Sequence, residues 1–248
     1  MAIFLIGIDD TDNETSPGTG KLARELGREI EGRGAKLLGV TRHQFLVDDR
    51  IARASQNRGA CLAIEMTDAL DVLEAAIDFI AESSAKDSDP GICIAALDEV
   101  PSSVMDWGWT ATREVLGRDR AFALAKACGI CLRMLGDNGY GVIGALASVG
   151  LRADGNEGWF HDLPGLRTLG DVADYRQLTD LGIEVDHHLP NPAVASDPAV
   201  CTGEGAIYKT QNWVRPRLVK GRPVWPVEWS NNERAWIGID RKKSRPLE

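Results

Sequence analysis

The 248-residue chain is 44% apolar, carries a net charge of −9 and holds no apolar run near the length of about 18 residues that a membrane helix needs. This composition fits one large domain or two ordinary ones with a real core, and argues against a disordered or membrane-bound protein. The N-terminal stretch lacks the basic start of a signal peptide, and five cysteines at irregular spacings do not suggest a disulfide framework, so a cytoplasmic location is expected.

The first predicted element is a strand from Ile3 to Ile8, and it runs into GIDDTD, which sets Asp9, Asp10 and Asp12 within four positions of one another. Like charges this close repel. A neighbouring cation, a shared proton or a divalent metal would relieve them. Mg²⁺ takes oxygen ligands and often uses one or two carboxylates together with substrate phosphates, which makes the three aspartates candidate metal ligands and catalytic residues. If the strand persists to Thr11, Asp10 and Asp12 share a face and Asp9 points the other way. The alternative is an ordinary turn at Asp12 and Asn13, with Asp9 or Asp10 capping the loop. A helix follows at once, with Leu22, Ala23, Leu26 and Ile30 at helical spacing. Its opening, TSPGTGKL, resembles the end of a P-loop but has Thr15 where glycine is required and Leu22 where serine or threonine is required. Gly18, Thr19, Gly20 and Lys21 still stand at a helix entrance, where free amides and the helix dipole favour phosphate. Thr19 could equally be a plain N-cap.

KLLGVTRHQF reads as a second strand and GACLAIEM as a third, with the polar loop DDRIARASQNR between them. His43 or Arg42, at the end of the second strand, is placed to reach a phosphate, or His43 is a surface histidine. Arg58, between Asn57 and Gly59, could grip phosphate bidentately or open the third strand as part of a turn. TDALDVLEAAIDFIAESSA is an amphipathic helix capped by Thr67 or Asp68. KDSDPG reads as a linker or loop, ICIAAL as a short strand, and residues 102–116 and 118–135 as two helices. The second of these would bury Cys128 and Cys131 as packing, since zinc would need a second ligand pair. GYGVIGALASVGL reads as a strand entering a helix. Its Gly139, Gly141 and Gly144 either let the backbone approach a ligand, Gly141 being the candidate contact, or only permit tight packing.

Beyond residue 152 the pattern is weaker. LGDVADYRQLTDLG reads as one helix and AIYKTQNWVRPRLVKGRPVWPVEW as a twisted β segment. His187 and His188 are adjacent, so their side chains diverge on an extended chain, which argues against zinc. From Tyr208 onward ten Lys and Arg face four Asp and Glu, about +6, which leaves about −15 for the rest. The basic stretch either packs against the acidic body or contacts RNA. Trp213, Trp225, Trp229 and Trp236, near Arg215, Arg217 and Arg222, either close a core or stack on bases.

GIDDTD, followed by a short loop, a threonine and a helix, resembles the kinase domain of the archaeal isoleucine-tRNA agmatinylcytidine synthetase family. The similarity continues through SQNRGACLAIE, DPGICIAAL and GYGVIGALASVG, over most of residues 1–151. The resemblance implies that the signature holds Mg²⁺ and ATP and that a threonine after it, here Thr19, is phosphorylated. It also implies a chain of mixed α/β and α+β class. A kinase-like α/β domain would cover residues 1–66 and continue over 67–151, associated with a ferredoxin-like or accessory region and basic tail over 152–248. The family continues into an OB-fold and a zinc ribbon that hold tRNA, which this chain is too short to include, and Pro17, Gly18 and Gly20 replace bulkier residues around the threonine. The expected function is an ATP- and Mg²⁺-dependent phosphoryl or nucleotidyl transferase or ligase, with RNA or a small molecule as acceptor. Its rival is a nucleotide-sensing or RNA-binding module that keeps the pocket without turnover.

Overall fold

The computed structural model of the chain describes residues 1–51, 56–67, 70–189, 201–211 and 213–239. The chain divides into two compact units, Met1–Leu163 and Pro164–Glu248. The first contains, in order, β1 (Ala2–Asp9), α1 (Thr19–Gly32), β2 (Lys36–Gln44), β3 (Arg58–Met66), α2 (Leu70–Ser83), β4 (Gly91–Ala96), α3 (Ser102–Ala111), α4 (Arg118–Ala127), β5 (Cys131–Met134), α5 (Gly141–Asp154) and β6 (Trp159–Asp162). Its strands lie in the order β5-β4-β1-β3-β2-β6, each antiparallel to its neighbours.

Period-two alternation gives the sheet two apolar faces. Ile6 and Ile8 of β1, Leu62 and Ile64 of β3 and Ile92 and Ile94 of β4 face Leu22, Leu26 and Ile30 of α1 and Ala76 and Ile80 of α2. Full burial of each such side chain stabilises by roughly 1.5–3 kcal/mol. The opposite face carries smaller residues: Cys61 and Ala63 on β3, Cys93 and Ala95 on β4. Against it lies α5, which is covered in turn by α3 and α4. Small residues are needed there because α5 lies almost on the strand backbones. A Cβ on Gly7 would come within 2.9 Å of Val149 Cγ2, and one on Gly91 within 2.5 Å of Gly141 O.

The succession β-α-β-β-α-β over residues 2–96, with strand order β4-β1-β3-β2, is the ferredoxin-like arrangement. It therefore lies at the start of the chain, in residues expected to form the kinase-like domain, whereas residues 152–248 were expected to be either a ferredoxin-like or an accessory region. The first unit runs on to Leu163 because β6 hydrogen-bonds to β2, with Arg42 opposite Trp159. Three predicted elements also change. The helix expected over 118–135 stops at Ala127, because Gly129 takes φ +68°, and β5 follows. No strand precedes α5 within GYGVIGAL. The helix expected in LGDVADYRQLTDLG shortens to six residues, because Asp174 and Gln177 form a capping box that starts it late. The Asp68 cap lies outside the described residues.

The second unit contains β7 (Val172–Asp174), α6 (Tyr175–Asp180), β8 (Glu184–His188), β9 (Ile207–Lys209), β10 (Arg217–Val219), β11 (Arg222–Ser230) and β12 (Ala235–Gly238). β11 pairs antiparallel with β10 and β12 and parallel with β8, and β9 joins β12 to β7. Its core is aromatic: Tyr208, Trp225, Trp229 and Trp236 are buried, with His187 edge-on to Trp236 at 4.5 Å. Among the described residues no helix is long and apolar enough to cross a membrane.

Two glycine substitutions separate packing from propensity. Gly7→Ala should destabilise the protein by about 1–3 kcal/mol, since its methyl group has no room beneath α5. Gly32→Ala, with nothing within 4 Å of the new Cβ, should be neutral or stabilise by about 0.5 kcal/mol. Denaturant unfolding measures both, and equal effects would contradict the close packing of α5.

Candidate active site

The carboxyl end of β1 becomes the acidic loop. The strand stops at Asp9, and Asp10 takes φ +52°, a left-handed conformation that Asp tolerates better than most residues. The strand therefore does not persist to Thr11, and the expected common face for Asp10 and Asp12 is lost. Instead the loop backbone is tied to the segment before β4: Asp89 N–H donates to Asp10 O at 3.1 Å, and Ala85 N–H donates to Thr11 O at 2.9 Å.

Asp9 lies under the first turn of α5. A Cβ on Gly144 would fall 2.5 Å from Asp9 Cγ, and one on Gly141 2.8 Å from Asp9 O. Only glycine leaves room for the carboxylate and the loop at these positions. The Asp9 carboxyl is pushed up to about 8, first by burial and then by the charge of Asp10, with a smaller contribution from Asp12; the backbone N–H of Asp10 opposes the rise.

Asp12 turns toward α1. Thr19 Oγ1 donates to Asp12 Oδ1 at 2.6 Å and accepts from Thr11 Oγ1 at 3.1 Å. Thr11 and Thr19 are both 3% exposed. The N-cap of α1 is Gly18, which leaves Thr19 as the first helical residue, with its hydroxyl committed to Asp12 rather than to a helix amide. Arg42 and His161 lie over the same turn: a Cβ on Gly20 would come within 3.0 Å of Arg42 Cδ and of His161 Nε2. Anion-favouring amides, two nitrogen-bearing side chains and a carboxylate-bound hydroxyl thus converge at the start of α1.

The amide-rich turn before α5 is filled from within. Asp89 Oδ1 accepts from the backbone N–H of Asn138 at 2.9 Å and of Gly139 at 3.0 Å, while Oδ2 accepts from Tyr140 N–H at 2.5 Å. The glycines around Gly141 therefore serve close backbone approach, and the amides beside them hold a side-chain carboxylate. Asp89 was missed in the sequence because DSDPG reads as a turn, and its partners lie about fifty positions further on.

The other candidates sit elsewhere. His43 alternates to the face opposite Arg42 and is fully buried, with Nδ1 2.9 Å from Glu157 Oε2 and Nε2 2.9 Å from Thr41 Oγ1, so it does not meet the start of α1. Arg58 Nε donates to Gln44 Oε1 at 2.6 Å, and its guanidinium stands 5.8 Å over the Trp159 ring. Lys21 is exposed and pairs with Glu25 at 3.6 Å, one helical turn along. In the second unit His187 Nε2 meets the Tyr208 hydroxyl and His188 Nε2 meets Asp186, each at 2.9 Å.

Mg²⁺ suits the chemistry of the acidic loop, since hard oxygen donors, and a carboxyl whose proton affinity is raised by burial and by the charge of Asp10, gain from a divalent charge. Among the described residues no group of three or more His, Cys, Asp or Glu side chains is assembled to hold an ion. The loop offers the one or two carboxylates that Mg²⁺ uses alongside nucleotide phosphates.

The raised Asp9 pKa has a defined pH signature. The folded state holds this proton more tightly than the unfolded chain, so the stabilisation is full below pH 3.8 and is lost as pH rises through about 8. Asp9→Asn, neutral throughout, should raise Tm above the parent's at alkaline pH and match it near pH 4. Thermal melts across this range test it, and a pH-independent difference would contradict the assignment. Asp89→Ala, which strips three amides of their acceptor, should cost at least about 2 kcal/mol in denaturant unfolding, with Asp89→Asn in between.

No family model matches the chain. The 2-agmatinylcytidine synthetase TiaS of Haloquadratum walsbyi, which acts on an isoleucine tRNA, is 32% identical over 191 residues, which cover 73% of this chain and 38% of that protein. The fold is similar to crystal structures of TiaS with its tRNA, AMPCPP and agmatine (TM-score 0.53), of TiaS with its tRNA and ATP (0.54) and of apo TiaS, a tRNA agmatidine synthetase (0.52). Each is 25% identical, and the match covers 60% of this chain and 35–36% of theirs. The chain thus spans little more than a third of the length of these proteins. Sequence and fold agree that the chain is similar to part of the isoleucine-tRNA agmatinylcytidine synthetases.

Proposed function

We propose that the chain is an ATP-dependent enzyme of RNA modification that transfers a phosphoryl or nucleotidyl group at the acidic loop, with tRNA as the class of acceptor. The relatives support ATP and tRNA as ligands, since TiaS has been crystallised with both. Its crystallisation with agmatine extends the proposal to a small amine as co-substrate. The observation that carries the reading is the 2.6 Å hydrogen bond from Thr19 to Asp12 at the mouth of α1.

In this reading the phosphates of ATP lie at the amides of Gly18, Thr19 and Gly20, under Arg42 and His161. Asp9 and Asp12 would hold Mg²⁺, which supplies charge neutralisation for the phosphate chain. Thr19 is the first acceptor: its oxygen forms a bond to the γ-phosphorus, the bond from that phosphorus to the β-γ bridging oxygen breaks, ADP leaves, and the hydroxyl proton passes to Asp12. Burial of Thr19 keeps competing water away from the hydroxyl.

Incubation with ATP labelled separately at the α and γ positions, followed by mass-spectrometric mapping, tests the assignment. The γ label is expected on Thr19, lost in Thr19→Ala and reduced at least about 100-fold in Asp12→Asn, the size of a general-base contribution. Label on another residue, or none, would remove Thr19 from the reaction. Calorimetry of ATP binding with and without Mg²⁺ tests the metal separately. Equal affinity in both conditions, or no loss in Asp9→Asn, would reject it.

A further inference from the structure

We infer that the second unit carries a base-stacking site for single-stranded RNA, built on Trp213 with the guanidiniums of Arg167 and Arg215 beside it. The Arg167 guanidinium carbon stands 4.0 Å from the centroid of the Trp213 ring and that of Arg215 stands 4.8 Å from it, so both cations sit on one indole. Trp213 is 41% exposed, whereas Trp225, Trp229 and Trp236 are buried in the core of this unit. The tryptophan near these arginines that the core does not use is therefore the one that carries them.

The group is held in place. Trp213 N–H donates to Thr210 O at 2.9 Å, and Thr210 is fastened to the segment before β7 by its own N–H to Asp171 O at 3.0 Å and its hydroxyl to Gly170 O at 2.6 Å. Leu166, beside Arg167, and Val214, between Trp213 and Arg215, are each 4% exposed and anchor the backbone. Along WVR the alternation out, in, out sets Trp213 and Arg215 on one side. A shallow depression beside the ring is lined by Leu166, Arg167, Leu169, Thr210, Trp213 and Val214, with no carboxylate among them.

Aromatic rings and guanidinium planes are the surfaces on which unpaired bases stack, and cations beside them draw the phosphate backbone. The second unit, Pro164–Glu248, carries twelve Lys and Arg against eleven Asp and Glu, about +1, where the first unit carries about −10, and from Tyr208 onward the balance is about +6, so its C-terminal part is where a polyanion is least repelled. RNA as the occupant rests on the function proposed above; the stacking geometry does not.

The test is fluorescence anisotropy of the full-length protein with a labelled single-stranded oligouridylate of about 12 nucleotides, within the span of known single-strand sites, and with a duplex of the same length. The single strand should bind better than the duplex. Trp213→Ala should weaken it about tenfold, Trp213→Phe much less, and Arg167→Ala with Arg215→Ala should lower the slope of log K against log salt by about 1.4, or 0.7 per lost contact. Circular dichroism and the γ-phosphate transfer assay on the same variants should be unchanged. Equal binding of strand and duplex, or unaltered affinity in both the tryptophan and the arginine variants, overturns the site while leaving the chemistry at Thr19 in place. Absence of transfer with stacking intact overturns the chemistry alone.

Discussion

Helix α5 meets the sheet backbone against backbone, because glycine stands at Gly7 and Gly91 on the strands and at Gly141 and Gly144 on the helix. A single methyl group at any of these four positions would overlap neighbouring atoms. The approach does more than fill the core. It brings the positive end of the helix over Asp9 and sets the turn before the helix against Asp89, so the acidic loop is shaped by a helix remote in the chain.

Charge is handled differently at each carboxylate. Asp89 spends its charge on three amides and becomes a structural strut, linked through its own N–H to Asp10. Asp12 takes the Thr19 hydroxyl. Asp9, fully buried beside the charge of Asp10, keeps a high proton affinity despite the Asp10 backbone N–H, which is why it is the carboxylate most altered by a cation or by substitution. Buried groups with pKa values shifted by desolvation and a neighbouring charge cluster at functional sites.

The strands and the α1 stripe were legible because their periodicities are local: IFLIGI alternates between two cores, and Leu22, Leu26 and Ile30 return every turn. The acidic cluster was legible for the same reason, since Asp9 to Asp12 are neighbours in the chain. What was not legible depends on contacts between distant segments. Nothing near Asp89 announces that Asn138 to Tyr140 will close on it, and His43 reads as a phosphate contact until Glu157 arrives beside it. Likewise β5 hides inside an apparent helix, because its pairing with β4 outweighs the helical composition that precedes Gly129. The roles of the glycines in GYGVIGAL were left open between ligand approach and packing, and only the position of Asp9 shows that Gly144 makes room for a carboxylate.

The central place of β1, paired to β3 on one side and β4 on the other, has a consequence for the order in which the site comes into being. In chain order the acidic loop precedes the helix that encloses Asp9, with α1 to α4 between them, and β6, which closes the sheet at β2, comes later still. Contacts so distant in sequence form slowly. During synthesis the three aspartates are therefore a solvated, mutually repelling loop for as long as the ferredoxin-like half stands alone, and the enclosed environment of Asp9 arrives late, with α5, rather than growing steadily with chain length.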